Sequence, residues 1–217
     1  VVHGARPQIE TRLAEKGLAM RYHHGLRVTG ADALECVIQA VGQVRVEIEA
    51  LLSMGMPNSP MANADIRVSA GNFITAQPMG VREGVDMMYT GEVRKVDTTA
   101  IRYRLDDGEM VLLSTIGYSP TGEVFNLPLE DVATSTAIAL KAEKLVSMTD
   151  IAGLLRDKDD ESTLIPEVEV SEIEGYKAAG VIAGGMIPKI GGMADAIYQG
   201  VHEAVIIDGR VPHSILL

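Results

Sequence analysis

The first segment of the sequence that could bind a charged ligand is a turn near its beginning. The run His3-Gly4-Ala5-Arg6-Pro7 leaves a predicted strand and enters a predicted helix, where Pro7 suits the first helical position. At such a turn, backbone N–H groups near Gly4 and Ala5 could face a carboxylate or a phosphate. An ordinary strand-to-helix turn is the alternative, because a single glycine is weak evidence for a ligand site.

A second candidate is Arg27, which lies within Gly25-Leu26-Arg27-Val28-Thr29. Arginine presents a planar fork of N–H donors that can hold a carboxylate through two hydrogen bonds. The alternative is a surface arginine that precedes a helix. His23 and His24 stand beside this segment and have no partner at metal-ligand spacing in the sequence, so we expect loop histidines and no metal site.

Covalent catalysis has no support in the sequence. None of the Ser, His and Asp residues falls in a nucleophile-elbow pattern, and the single cysteine, Cys36, lies within a predicted helix. One cysteine also rules out an intramolecular disulfide, and no signal peptide is visible. We therefore expect a cytoplasmic protein.

The composition predicts one large globular domain. The 217 residues are 47% hydrophobic and 23% charged, with no apolar run of the roughly 18 residues that a membrane span requires. The net charge of -11 disfavours nucleic acid as a partner, because binding to phosphates depends on clustered Lys and Arg. We expect neither nucleic acid nor a membrane as a partner.

Predicted strands alternate with predicted helices along the chain. This order implies an α/β fold in which parallel strands are joined by right-handed helical crossovers. The predicted strands are 1–3, 72–78, 110–116, 144–149 and 204–207, and the predicted helices are 7–16, 31–52, 98–105, 131–142, 171–178 and 186–199.

Three segments carry local signals of their own. Residues Asp86 to Asp97 are predicted to form an antiparallel hairpin at the edge of the sheet, because β-forming residues flank Thr90-Gly91. Ser171-Glu172-Ile173-Glu174 has the spacing of a capping box at a helix start. The charged run 156–161 is predicted to be a solvated loop.

Several motifs together resemble one known family. The segments are His3 to Ile9, Ser69 to Val81, Gly84-Val85-Asp86 and Gly91 to Asp97, and they resemble the amino-acid-kinase domain of bacterial N-acetylglutamate synthases. The resemblance implies the amino acid kinase fold over residues 1–217, a three-layer α/β/α sandwich with a mainly parallel sheet. It also implies that Gly4, Ala5 and Arg27 contact a carboxylate or phosphate.

The related N-acetylglutamate kinases differ from this chain at two places. They have three consecutive glycines where this chain has Gly4-Ala5-Arg6, and they have Asp where it has Glu130. Phe125-Asn126-Leu127 matches the synthase pattern, and Asn126 also matches the substrate-gripping Asn of the kinases. The resemblance therefore favours a synthase and assigns ligand binding to Asn126.

Two later segments resemble other binding elements of these families. Thr149-Asp150-Ile151-Ala152-Gly153 and Gly184 to Lys189 are similar to the nucleotide side of the kinases, which implies phosphate contacts by Asp150 and Lys189. Ile206 to Leu217 resembles the C-terminal signature of arginine-sensitive members. It places Gly209 and His213 in the arginine-site region, although Val205 stands where the signature has His.

The resemblance implies a function that these residues would not perform alone. Synthases transfer an acetyl group from acetyl-CoA to L-glutamate, the first step of arginine biosynthesis, in a separate C-terminal acetyltransferase domain. Because the chain opens on Val1-Val2 and stops within a predicted helix at Ser214 to Leu217, we expect a fragment, truncated at both ends, that lacks this domain. The implied roles are binding of L-arginine and homo-oligomerisation, with no catalytic residue and no cofactor of its own.

Two alternatives remain open at this point. One is an N-acetylglutamate kinase that uses ATP and Mg²⁺, supported by Asn126, Asp150 and Lys189. The other is a ligand-free scaffold that only assembles subunits.

Overall fold

The computed structural model describes residues 1–216 and divides the chain into two compact units. The first unit is Val1–Val132 and the second is Ala133–Leu217. Each unit has its own strands and buried clusters. The expectation of one domain over residues 1–217 stays a prediction.

Three helices belong to the first unit: α1 (Arg6–Glu15), α2 (Ala31–Leu52) and α3 (Thr98–Asp106). Ile9 and Leu13 of α1 lie one turn apart and pack on Cys36, Val37 and Ala40 of α2, all of them buried. Apolar residues at this spacing form one stripe along a helix, which explains why α1 and α2 pair. The three predicted helices are confirmed to within about one residue at each end.

A parallel sheet of the first unit contains β1 (Val2–His3), β4 (Val68–Ala70) and β9 (Met110–Ser114), in the order β1-β9-β4. Val2 pairs with Leu113, and Ser69 pairs with Val111. This pairing confirms the expected parallel strands. The strand predicted over 110–116 ends at Ser114 in the structure, and the chain then enters a second sheet.

The second sheet is mixed and has the order β11-β10-β5-β8. Its strands are β5 (Ile74–Pro78), β8 (Gly91–Val96), β10 (Ile116–Tyr118) and β11 (Val124–Asn126). β5 runs parallel to β10, whereas β8 is antiparallel to β5 and β11 is antiparallel to β10.

The predicted hairpin over Asp86 to Asp97 is wrong. β8 pairs with β5, and Gly91 is the first residue of β8, opposite Pro78. A Cβ at Gly91 would lie 2.8 Å from the carbonyl oxygen of Gln77 and 2.8 Å from Cβ of Phe125. This glycine is therefore needed for close packing, and not for a turn with positive φ.

Two short hairpins lie elsewhere in the first unit. β2 (Tyr22–His23) pairs with β3 (Leu26–Arg27), and β6 (Val81–Arg82) pairs with β7 (Val85–Asp86). The turn residues all have positive φ, at 46° and 79° for His24-Gly25 and at 48° and 81° for Glu83-Gly84. Two successive positive φ values are the signature of the tight turns that join twisted strands.

The second unit contains a parallel strand pair, β12 (Lys144–Thr149) and β13 (Glu203–Asp208). Its helices are α5 (Ile173–Ala178) and α6 (Met186–Tyr198), while α4 (Leu129–Leu140) runs across the boundary between the units. The predicted strands and helices of this part of the chain are present. A buried cluster lies under α5 and α6, formed by Leu154, Ile165, Ile173, Ile182 and Ile190.

The predicted capping box at Ser171 is shifted by two residues. The carboxylate of Glu172 accepts a hydrogen bond of 2.9 Å from the backbone N–H of Glu169, and a short 3-10 helix over Val170–Glu172 precedes α5. The box therefore caps the 3-10 helix, which starts at Val170, one residue before the predicted α-helix.

Two other expectations concern exposure to solvent. Every residue of the run 156–161 is exposed, as expected of a solvated loop. Within residues 1–216, no helix combines the length and the apolar character that crossing a membrane requires.

Candidate functional site

The side chain of Arg27 lies at the end of β3 and is only 8% exposed. Its guanidinium carbon stands 5.0 Å from the centre of the Tyr22 ring, and its Nη2 atom is 3.4 Å from Oε1 of Glu10. Nη1 is buried and has no hydrogen-bond partner among residues 1–216. Because a buried unpaired donor costs about 1–3 kcal/mol, this nitrogen calls for an acceptor such as a ligand carboxylate.

Glu10 holds the groups around Arg27 in place. Its Oε1 atom accepts hydrogen bonds from the Tyr22 hydroxyl at 2.7 Å and from Nε of Arg6 at 2.9 Å. The hydrogen bond from Tyr22, followed by that from Arg6, lowers the pKa of Glu10 below its ordinary value. Burial, followed by the hydrogen bond to Glu10, raises the pKa of Tyr22. The carboxylate therefore stays ionised and fixes the Tyr22 ring on which the Arg27 guanidinium stacks.

Asn126 is joined to Arg27 by two buried threonines. Nδ2 of Asn126 donates to Oγ1 of Thr29 at 3.0 Å, and Oγ1 of Thr29 lies 2.9 Å from Oγ1 of Thr90. The hydroxyl of Thr90 donates in turn to the backbone carbonyl of Arg27. The structure thus brings together two residues that are 99 positions apart in the sequence and that the resemblance assigned to binding.

Sequence reasoning did not identify Thr90, Glu10 or Tyr22 as parts of this site. Thr90 is 2% exposed, and its hydroxyl oxygen also accepts from the backbone N–H of Thr29 at 3.1 Å. A single buried threonine between β7 and β8 carries no periodic signal, so its role depends on the pairing of distant segments. Tyr22 and Glu10 lie close to Arg27 and Arg6 in sequence, and that proximity is the signal that could have identified them.

The turn at Gly4 and Ala5 enters α1 as predicted. Ala5 is 2% exposed and is the N-cap residue of α1, which makes Pro7 the second helical residue, not the first. A Cβ at Gly4 would meet Cδ2 of Leu129 at 3.5 Å, an ordinary contact, so this position does not require glycine. The turn is therefore closed by packing on at least one side.

His3, immediately before this turn, is also buried. It is 7% exposed, and its Nδ1 atom lies 3.3 Å from the carbonyl oxygen of Gly4. Burial is the main cause that lowers the pKa of His3. The imidazole therefore favours its neutral form, which suits an apolar strand end.

Acidic side chains gather at the start of α4. Burial, followed by repulsion from Glu130 and Glu92, raises the pKa of Asp131. A raised carboxyl pKa reports local negative potential and poor solvation. This helix start is consequently unfavourable for a phosphate, in contrast to a helix start with free backbone N–H groups.

Asp150 and Lys189 both belong to the second unit. Lys189 projects from the first turn of α6 and donates a hydrogen bond of 3.1 Å from Nζ to Oγ of Ser147 on β12. Asp150 is exposed at the end of β12, with one carboxylate oxygen 3.4 Å from Oγ1 of Thr149. Both residues therefore lie near the carboxyl end of β12, the side of a parallel strand pair where ligands bind.

Gly209 follows β13 and lies against the end of β12. Its N–H donates to the carbonyl oxygen of Thr149 at 2.7 Å, and a Cβ there would come within 3.2 Å of the same oxygen. His213 is exposed with φ of 63°, and Val205 is half-buried within β13, opposite Val146. Leu217, the last residue of the arginine-site signature, lies outside the described residues.

Arg210, next to Gly209, is tied down by acidic partners. Its guanidinium lies 2.7 Å from Oδ2 of Asp208 and 3.1 Å from Oε1 of Glu161. Hydrogen bonds to Asp208, followed by those to Glu161, raise the pKa of Arg210, and those from Arg210 lower the pKa of Asp208. These pairs hold the loop after β13 in a defined position.

One group of side chains in the described part of the chain has the geometry of metal ligands. It consists of His23, His24 and Glu83, whose ligand atoms lie within 4.8 Å of one another. Glu83 is far from the two histidines in the sequence and comes close to them only through the fold, and the expectation of no metal site stays a prediction.

Comparison with known proteins identifies several relatives. A family model described as the amino acid kinase family matches residues 1–208. The amino-acid acetyltransferase of Pseudomonas fluorescens (strain Pf0-1) is 53% identical over 176 residues, which make up 81% of this chain and 40% of that protein. The chain thus spans about 40% of the length of the curated relatives that it matches.

Solved structures give the same result. N-acetylglutamate synthase from Neisseria gonorrhoeae, complexed with coenzyme A and L-arginine, matches with a TM-score of 0.87 and 35% identity, over 99% of this chain and 49% of that one. The same enzyme with coenzyme A and N-acetyl-glutamate matches with a TM-score of 0.84 and 33% identity, over 99% of this chain and 47% of that one. The expected amino acid kinase fold is confirmed.

Proposed function

The chain belongs to the amino acid kinase family, and on that premise we propose that it is the regulatory, arginine-binding part of an N-acetylglutamate synthase. The parent protein transfers the acetyl group of acetyl-CoA to the α-amine of L-glutamate, which opens arginine biosynthesis. The transfer takes place in a further acetyltransferase domain. The similarity to amino-acid acetyltransferases at 53% identity over 81% of the chain supports this assignment.

The observation that carries the proposal is the buried guanidinium of Arg27 with one unpaired nitrogen. Arg27 supplies the positive charge for an amino-acid carboxylate, and Asn126 lies within the same hydrogen-bonded network. The proposal also assigns the backbone N–H groups of Gly4 and Ala5 to carboxylate or phosphate binding, on the family resemblance. A site of this kind selects for small acidic metabolites, because arginine holds a planar carboxylate through paired hydrogen bonds.

L-Arginine is the proposed effector, and its site includes Gly209 and His213. The loop that carries them is held by the Arg210 pairs with Asp208 and Glu161, so it presents a defined surface. The neighbour from Neisseria gonorrhoeae was solved with L-arginine, which supports the assignment. Effector binding would alter acetyl transfer through a difference in affinity between two states of the protein.

The runner-up is phosphoryl transfer from ATP with Mg²⁺ to N-acetylglutamate. The contact between Lys189 and Ser147 favours it, because it keeps a cation near the end of β12 where a nucleotide phosphate would lie. The acidic start of α4 and the ion pair between Arg6 and Glu10 speak against it, since neither leaves a cradle for a transferring phosphate. A scaffold without ligands is the third reading, and the unpaired nitrogen of Arg27 weighs against it.

The location and assembly of the protein are also proposals. The single cysteine, Cys36, is free and buried, which suits the reducing cytoplasm that a biosynthetic enzyme occupies. A homo-oligomer is proposed because coupling of effector sites is strengthened when identical subunits change together.

The test uses the protein at its full native length. Acetyl transfer from acetyl-CoA to L-glutamate is measured with and without L-arginine, and ATP-dependent phosphorylation of N-acetylglutamate is measured in parallel. We expect acetyl transfer that responds to arginine and no phosphorylation. Phosphorylation without acetyl transfer would establish the kinase instead.

The scaffold alternative is tested by a separate experiment. Thermal unfolding is followed with millimolar L-arginine, N-acetylglutamate or ATP, because any ligand specific to the folded state raises its apparent stability. The expected result is an increase with arginine and with N-acetylglutamate. An unfolding temperature that none of the three changes would leave only the scaffold.

A further inference from the structure

The tips of two hairpins meet in the first unit. His24 occupies the turn between β2 and β3, Glu83 occupies the turn between β6 and β7, and Nε2 of His24 lies 2.7 Å from Oε2 of Glu83. His23, the last residue of β2, places its own Nε2 atom 4.0 Å from the same carboxylate oxygen. Two imidazole nitrogens and one carboxylate oxygen therefore converge although 59 residues separate His24 from Glu83.

The least exposed member of this trio, His23, has a ring nitrogen without a partner in the described part of the chain. The side chain of His23 is 19% exposed, and its Nε2 atom is buried without a hydrogen-bond partner in the described part of the chain. The imidazole rings of His23 and His24 are arranged edge-on and not stacked, with centroids 4.3 Å apart and planes at 76°. A simple ion pair between His24 and Glu83 would leave His23 unexplained.

We infer that His23, His24 and Glu83 bind one divalent transition-metal ion of the zinc class. Neutral imidazole nitrogens and a carboxylate oxygen form a known donor set for zinc, in which water takes the fourth position. Hard cations such as Mg²⁺ prefer sites made of oxygen ligands alone. The chemistry of the donors therefore selects Zn²⁺ over Mg²⁺.

The observed distances fit this ion after a small adjustment. Ligands about 2.0–2.1 Å from a tetrahedral zinc ion lie about 3.4 Å from one another. The measured separations of 2.7 and 4.0 Å fall on either side of that value. Because the His24 and Glu83 side chains are 68% and 72% exposed, both can rotate to close the site while His23 stays in place.

The backbone keeps the two tips facing each other. His24 and Glu83 both have positive φ, and a glycine with positive φ follows each of them. The metal ion would cross-link the two hairpins, one of which carries Arg27 on β3.

The same unit of structure provides suitable variants, and the second unit provides a matched control. Asn tolerates positive φ better than most residues, so His24→Asn removes a ligand without straining the turn. Glu83→Gln keeps the size of the side chain and removes its charge. The control is His202→Asn. His202 forms an exposed pair with Glu143 at 3.8 Å, and this pair does not belong to the metal-ligand group of the described residues.

The experiment measures Zn²⁺ binding to the untagged, full native chain after treatment with a chelator, by equilibrium dialysis, with Mg²⁺ as the comparison ion. The expected result is saturation at one Zn²⁺ per chain, and a loss of affinity of about 10-fold or more in His24→Asn and in Glu83→Gln. His202→Asn should bind Zn²⁺ as the parent does. Co²⁺ should give the visible absorption bands of a tetrahedral site, and these bands should disappear in His24→Asn.

Two results would overturn the inference. One is the absence of saturable Zn²⁺ binding, which would leave a hydrogen-bonded contact between hairpins and nothing more. The other is equal binding by the parent, His24→Asn and Glu83→Gln, which would place the ion elsewhere. Circular dichroism of each variant separates loss of a ligand from loss of the fold.

Discussion

Arg27 and Lys189 are the two cations that the resemblance assigns to ligand binding, and their surroundings differ. Arg27 in the first unit is 8% exposed, stacks on Tyr22 and has a buried nitrogen without a partner among residues 1–216. Lys189 in the second unit is half-buried and already donates to the hydroxyl of Ser147. A buried N–H donor without a partner is costly, even though the same guanidinium pairs with Glu10 through Nη2, whereas a partly exposed lysine bonded to a hydroxyl costs little.

This difference favours Arg27 over Lys189 as part of the proposed ligand site. A group that destabilises the folded protein persists where it serves binding, because strain and unpaired groups gather at functional sites. Lys189 needs no such explanation. The proposed carboxylate site around Arg27 is therefore the better supported of the two. Under the proposed function, the nucleotide-side residues Asp150 and Lys189 have no ligand.

Replacing Arg27 should give the largest effect. Arg27→Met keeps a long apolar stem and removes the charge, so the binding of N-acetyl-L-glutamate should weaken by about 10–100-fold, the value of hydrogen bonds to a charged group. The free energy of unfolding without ligand should stay the same or increase, because a buried N–H donor without a partner is removed. Isothermal titration calorimetry and urea unfolding measure the two quantities.

Arg21→Met is the matched control for Arg27→Met, since Arg21 is exposed and lies just before β2. It should change neither quantity. If Arg27→Met instead lowered the free energy of unfolding by about 3 kcal/mol or more in the absence of ligand, Arg27 would be a structural residue of the core and the contrast with Lys189 would fail.

The hydrogen-bonded path from Asn126 to Arg27 should give the next largest effect. Asn126→Ala leaves the buried hydroxyl of Thr29 without its amide donor, so it should lower the free energy of unfolding by about 1–3 kcal/mol. Thr29→Val removes the other partner with little change of shape. A double-mutant cycle of these two variants, measured by urea unfolding, should show a coupling of about 0.5–1.5 kcal/mol.

Asn72→Ala serves as the control for Asn126→Ala, because Asn72 is exposed. Its effect should stay within about 0.5 kcal/mol. A coupling energy of zero between Thr29 and Asn126 would mean that the two act independently and that Asn126 is not held for binding by this path.

Much of the fold could be predicted from the sequence, because periodic apolar patterns encode it. Helices 7–16 and 31–52 were predicted from the sequence, and in the structure Ile9 and Leu13 pack on the buried face of α2. The alternation of helices and strands predicted parallel pairing, which the predicted strands β1 and β9 show, whereas β4 was not predicted. The hairpin around Thr90-Gly91 was wrong because glycine serves close packing as well as turns, and only the position of Phe125 distinguishes the two uses.

The site was less predictable, since its parts come together through long-range pairing. Arg27 and Asn126 were identified through a family resemblance, whereas Thr90 and Glu83 were not. Thr90 belongs to the network because it forms a β-bridge with Asn126 just before β8, the strand that pairs with β5. Glu83 reaches His24 because two turns face each other. No spacing in the sequence reports either contact.

The charge of Glu10 should have a smaller effect, and one that depends on pH. Because its pKa is lowered on folding, its stabilising contribution is present above its ordinary pKa of 4.5 and is lost as the pH falls through the folded-state value. Glu10→Gln should therefore lower the free energy of unfolding at neutral pH by less than about 1 kcal/mol, as the side chain is 33% exposed and screened by water. The difference should decrease from neutral to acid pH and vanish once Glu10 is protonated in the folded protein.

Urea unfolding of the parent and of Glu10→Gln over this pH range gives the measurement. Glu35→Gln is the control. Glu35 forms an ion pair with Lys16, and the Glu35 side chain is 60% exposed. Its substitution should change the free energy of unfolding at neutral pH by no more than about 0.5 kcal/mol, as expected of an exposed ion pair. A difference for Glu10→Gln that grows towards acid pH would contradict the assigned direction of its pKa.

The smallest effect is expected at Lys189, and it tests the other half of the comparison. Lys189→Ala removes one hydrogen bond to Ser147 from a half-buried side chain, so the free energy of unfolding should change by no more than about 0.5–1.5 kcal/mol. Under the proposed function, acetyl transfer by the full native chain should not change, and ATP should not raise the unfolding temperature of either protein.

Lys177→Ala is the control, because Lys177 pairs with Glu174 on the exposed face of α5. If ATP stabilised the parent and not Lys189→Ala, while Lys177→Ala behaved as the parent, the nucleotide side would be a working site. The difference between the two cations would then reflect two occupied ligand sites.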